Sequence, residues 1–199
     1  MKKILFILLA FVSMSVSAQT PQQMLDKAVN ALKGTVTADY MLKSEQGAMK
    51  GTVVVNGKKF RMLSKDVKTW YDGNTQWTYS VATHEVNITT PTPQELQMTN
   101  PVAAAQGFKK GYNMWKAAGQ VSDKYAIMLQ PKSKSDIKKV YLYISNGSNL
   151  LHSANFQMND GTSFTITMSN YKTKVSVPES TFQYDASMVP AGTQVVDLR

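Results

Sequence analysis

Between Trp70 and Pro93 the chain reads W-Y-D-G-N-T-Q-W-T-Y-S-V-A-T-H-E-V-N-I-T-T-P-T-P, a run holding two of its three tryptophans. Asp72-Gly73-Asn74 is a turn signal between two apolar-aromatic stretches. Gln76-Trp77-Thr78-Tyr79 alternates polar and aromatic, so Trp77 and Tyr79 share one face of a strand. After a second turn near Ala82-Thr83-His84, Val86 and Ile88 repeat the period, and Pro91 and Pro93 end it. Three short antiparallel strands with large side chains on one face are therefore expected, and something must cover that face.

The same alternation recurs on both sides. Val36, Ala38, Tyr40 and Leu42 alternate, Thr52 to Val55 is β-branched-rich, and Asn56-Gly57 is a strong hairpin signal leading to Phe60 and Met62. Further on, Tyr125, Ile127 and Leu129 alternate, as do Val140, Leu142 and Ile144, then Ala154, Phe156 and Met158, then Phe164, Ile166 and Met168. Two helical stretches interrupt the pattern. Thr20-Pro21-Gln22-Gln23 carries the residues of a capping box, and Met24, Leu25, Ala28, Val29 and Leu32 fall on one helical face before Gly34. Between Pro91 and Tyr112, Thr92-Pro93 opens one short helix and Ala103-Ala104-Ala105 marks another. The fold class expected is α+β: a curved antiparallel sheet, an open and incomplete β-barrel, closed by an N-terminal helix and a short helical lid.

Met1-Lys2-Lys3, the apolar run from Ile4 to Val12 and the small residues Val16-Ser17-Ala18 have the layout of a signal peptide. Residues 1–18 are thus expected to be removed after Ala18, and residues 19–199 to form one domain in the periplasm. From Gln19 the chain carries a net charge of +7, against +9 for the full sequence. Arg61 and Arg199 are the only arginines, which argues against nucleic-acid recognition. With no cysteine and only His84 and His152, neither a metal site nor any other cofactor is expected, and no G-x-S-x-G or phosphate-binding loop is present. No catalytic residue stands out, and the expectation is a binding protein, not an enzyme. Ten methionines follow Gln19, most on strands beside aromatics, as a surface that must repack around apolar partners would use them.

The W-Y-D-G-N-T-Q-W-T-Y pattern from Trp70 to Tyr79, followed by the Val86 strand and a Pro-rich segment, resembles the periplasmic outer-membrane lipoprotein carrier (LolA-like) family. The resemblance implies a monomeric carrier that shields the acyl chains of lipoproteins in an apolar cavity and moves them toward the outer membrane. It implies an inner-membrane ABC transporter as donor, an outer-membrane receptor as acceptor and acylated lipoproteins as cargo. Trp70, Trp77, Tyr79, Val86, Ile88, Phe156, Met158, Phe164, Ile166 and Met168 are then expected to line the cavity, with Leu96, Met98, Val102 and Phe108 on a movable lid. The family latches its lid with an arginine on an early strand. That position falls near Asn56-Gly57, where this chain has none. A carrier of another lipid, or an envelope sensor on the same fold, are the alternative readings.

Overall fold

A computed structural model describes residues 19–118 and 123–199, the side chain of Met98 excepted; the expected signal peptide lies outside the described residues. Helix α1 spans Pro21–Ala31, and strands β1 (Thr35–Ser44), β2 (Gly47–Asn56), β3 (Lys59–Ser64), β4 (Val67–Tyr71), β5 (Gln76–Ser80) and β6 (Glu85–Thr89) follow as successive hairpins. Helices α2 (Pro93–Thr99) and α3 (Pro101–Gly111) come next. The chain then continues through β7 (Tyr112–Lys116), β8 (Lys124–Pro131), β9 (Ile137–Ser145), β10 (Leu151–Met158) and β11 (Ser163–Thr173). Two 3₁₀ turns, Glu179–Phe182 and Ala186–Met188, precede β12 (Gln194–Asp197).

All twelve strands form one sheet in the order β12-β6-β5-β4-β3-β2-β1-β11-β10-β9-β8-β7. The sheet is not closed: β12 and β7 are its two edges. Every pairing is antiparallel except β12 with β6, which is parallel. This is the expected open, incomplete barrel. The return of the C-terminus as a parallel edge strand was not legible, since four residues at Gln194–Asp197 give too short a period to assign.

The starts of α1 and α2 follow from their sequences. Thr20 Oγ1 accepts from the Gln23 amide at 3.2 Å while Gln23 Oε1 accepts from the Thr20 amide at 2.9 Å. Thr92 and Glu95 repeat this capping box at α2, at 3.3 Å and 2.7 Å. Each box satisfies two backbone donors that a helix start otherwise leaves open. Met24, Leu25 and Ala28 of α1 then bury against α3 and the inner face of β8–β10, with Ile127, Leu129, Val140, Leu142 and Ile144. Lys109 of α3 pairs with Asp26 of α1, tying the two helices together.

A second cluster gathers Ala38, Tyr40, Val53, Val55, Phe60 and Tyr71 on the inner face of β1–β4. The third lies on the opposite face. Trp70, the neighbour of Tyr71, points outward and packs edge-on to Tyr184 at 5.7 Å. Tyr79, Val86 and Val189 complete that cluster, with Leu63, Trp77 and Met188 against it. The segment after β11 is therefore the cover that the aromatic face of β4–β6 requires. Lys59 pairs with Glu179, and Lys68 Nζ donates to the Met188 carbonyl at 3.1 Å, holding the cover down.

Candidate functional site: an apolar cavity under the helical pair

Alternation along five strands aims one row of side chains at the concave face. From β1 and β2 come Val36, Ala38, Tyr40, Leu42, Met49, Val53 and Val55; from β9, β10 and β11 come Leu142, Ile144, Ala154, Phe156, Ile166 and Met168. Leu25, Ala28, Val29 and Leu32 of α1 form one wall, and Gln97, Thr99, Asn100, Pro101, Ala104, Ala105 and Phe108 form the roof. Together with Met62, Leu151 and Tyr171 they line a partly open cavity of about 220 Å³. Among the described residues no charged side chain lines it. That volume is below the roughly 300–1,000 Å³ of pockets that bury a drug-sized ligand.

The few polar groups in the wall are mostly satisfied. Tyr171 donates its hydroxyl to the Leu151 carbonyl at 2.8 Å, and burial pushes that hydroxyl well above its usual range, so it stays neutral. Burial also raises Tyr40, with the Ser64 hydroxyl partly opposing the shift. Gly51 makes room for that ring: a Cβ there would lie 2.6 Å from the Tyr40 hydroxyl and 2.2 Å from the Leu63 carbonyl.

Asn100 joins the roof to the sheet. It is buried, and its side-chain oxygen caps α3 by accepting from the Val102 and Ala103 amides at 2.9 and 3.1 Å. Its Nδ2 donates to the carbonyls of Gly57 at 3.3 Å and Lys58 at 2.8 Å, in the β2–β3 hairpin. The turn that carries no latching arginine thus receives its hydrogen bonds from the helical side. The signal was present as Asn before Pro101, a capping residue before a first-turn proline, but its second pair of bonds spans 42 and 43 residues and leaves no local trace.

Of the side chains expected to meet a ligand, Phe156, Ile166, Met168 and Phe108 line the cavity. Phe164 sits behind them, stacked on Phe156 at 4.6 Å. Leu96 packs on the inner cluster of β1–β4 without reaching the cavity. Met158 and Val102 are half-buried and do not line it either, and the Met98 side chain lies outside the described residues. Trp70, Trp77, Tyr79, Val86 and Ile88 are a correction: none lines the cavity. Trp70, Tyr79 and Val86 form the outer cluster, Trp77 packs against it, and Ile88 is cross-strand to Trp77. Their shared face was legible from the alternation; which face it is depends on the C-terminal cover. The inner row of β1, which the sequence also marked by alternation, and that of β2, which it marked only as a β-branched run, supply those walls instead.

An open, largely antiparallel sheet with helices laid over an apolar cavity defines a half-barrel fold. The sequence profile of the family described as outer membrane lipoprotein carrier protein LolA matches residues 11–162, and the chain belongs to this family. Among solved structures, an uncharacterised conserved protein from Thermus thermophilus superposes with a TM-score of 0.62 at 13% identity, covering 88% of this chain and 98% of that one. The LolA superfamily protein NE2245 from Nitrosomonas europaea gives 0.46 at 14% identity, over 84% of this chain and 99% of that one. The Pseudomonas aeruginosa MucA/MucB complex gives 0.48 at 9%, over 83% of this chain and 61% of the matched one. No curated protein matches.

Proposed function

We propose that this protein is a periplasmic carrier that takes the acyl chains of lipoproteins into the cavity beneath α2 and α3 and passes them toward the outer membrane. The observation that carries the reading is the lining itself: alkyl and aromatic groups on three sides, with no charged side chain. Family membership supplies the cargo class. Residues 1–18 act as a cleaved export signal and residues 19–199 as the carrier domain. An inner-membrane ABC transporter donates, an outer-membrane receptor accepts, and the carrier works as a monomer without cofactor or catalysis.

Energetics favours a small cavity. Burying about 15 methylenes at roughly 0.8 kcal/mol each gains on the order of 12 kcal/mol, too much for a carrier that must release. Part of that gain is spent in displacing the roof, whose own apolar contacts with the sheet are lost when a chain enters. A cavity that reads tails and not the protein attached to them also fits another uncharged amphiphile, the second reading. Native mass spectrometry of the protein isolated from its own periplasm tests both. A bound acylated polypeptide supports the lipoprotein carrier; a bound free lipid supports the second reading; a water-soluble ligand overturns both.

A further inference from the structure

Gln97 brings a free carboxamide to this apolar cavity. It lies against Gly107 of α3, where a Cβ would come within 2.0 Å of Gln97 Oε1 and 2.3 Å of its Cδ, so the glycine leaves the slot in which the amide sits. Of the other polar groups of the lining, Asn100 is engaged on four backbone atoms, Tyr171 on Leu151 and Thr99 on the Glu95 carbonyl at 3.5 Å, and the Tyr40 hydroxyl of β1 stands beside Ser64. Among the described residues Gln97 alone in the roof presents both a donor and an acceptor without a protein partner.

We propose that the site selects an acyl chain by its uncharged linkage, an ester or amide, and that Gln97 is the side chain that hydrogen-bonds that linkage. The inference rests on the reading of the cavity as an acyl site. An ester carbonyl accepts from Nε2, and a linkage hydroxyl or amide N–H donates to Oε1. An ionised carboxylate drawn into the same place loses its water and meets no cation, and an ammonium loses its water and meets no carboxylate. The long-range field points the other way: a carrier domain of net charge +7 from Gln19 on attracts anions. A preference for the neutral ligand is therefore a property of the lining and not of overall charge.

Calorimetry at pH 8 with 1-monomyristoylglycerol, myristate and tetradecyltrimethylammonium, each below its micelle concentration, tests this. The monoacylglycerol is expected to bind at least tenfold more tightly than either ion. Gln97→Leu removes the amide, and Gly107→Ala drives it from its slot; both are expected to weaken monoacylglycerol binding at least threefold, with the affinity of the two ions unchanged and the thermal midpoint retained. Myristate binding as tightly as the monoacylglycerol overturns the proposal, and so does monoacylglycerol affinity that is unchanged in both variants. Failure of all three ligands to bind the unmodified protein overturns the acyl-site reading itself, and this inference with it.

Discussion

Asn100 and Gly57 are 43 residues apart in sequence and joined by a hydrogen bond from Nδ2 to the carbonyl. A second bond to Lys58 completes a clamp between the α2–α3 junction and the β2–β3 turn. Because the same side chain caps α3, cap and clamp are separable by chemistry. Asn100→Asp keeps an oxygen for the Val102 and Ala103 amides but loses both donors and sets a carboxylate against two carbonyls. We expect a loss of about 1–3 kcal/mol, with faster amide exchange confined to residues 92–111 and faster ligand association. Loss of protection across β1 and β11 as well would make the roof part of the global core.

Filling the void discriminates a binding cavity from a packing defect. Ala154 is buried in β10 and lines the cavity between Leu142 and Ile166. Ala154→Leu occupies free space from the rigid side. The thermal midpoint is expected to hold or rise, the stability change staying within about 1.5 kcal/mol, while affinity for a monoacylglycerol falls tenfold or more. Unchanged affinity would put the ligand elsewhere.

Native tryptophan emission is expected to stay silent on binding. Trp70 is buried in the outer cluster with Trp77 against it, and Trp115 is exposed on the β7 edge. Phe108→Trp, which puts an indole in the roof, should shift to the blue when a chain enters. A shift in the unmodified protein and none in Phe108→Trp would reverse the assignment of faces.

The alternation of apolar residues made most strands legible, and the capping box at Thr20 and the Thr92-Pro93 cap made the starts of α1 and α2 legible. What they do not carry is the choice of face. In β4, Trp70 and Tyr71 are adjacent and both buried, one outward and one inward, because two different elements cover the two sides. A strand buried on both faces loses the contrast by which sequence assigns a side. The outward cover comes from residues around Tyr184 and Val189, whose short 3₁₀ turns have no periodicity to announce them. Gln97 was hidden for another reason: a glutamine on a helix reads as solvated surface until Gly107 shows what it faces.

Alkaline pH should weaken the fold through its buried phenols. Burial raises Tyr171, Tyr40 and Tyr112 above the ordinary value near 10. The unfolded chain then ionises first, so the stability contributed by the neutral phenols is complete below pH 10 and is lost as pH rises above it. Tyr171→Phe should flatten the fall in denaturation midpoint between pH 9 and 11, relative to its own value at pH 8. An unaltered slope would mean that Tyr171 is hydrated in the native state.

Methyl NMR during titration with an N-myristoylated peptide addresses the cavity itself. The methyl groups of Met49, Met62, Met168, Ile144 and Ile166, all in the lining, should shift in a saturable manner, while those of Val86, Val189 and Val195 stay in place. Shifts confined to Val86, Val189 and their neighbours, with the inner row silent, would contradict the assignment of the acyl site to the space beneath α2 and α3.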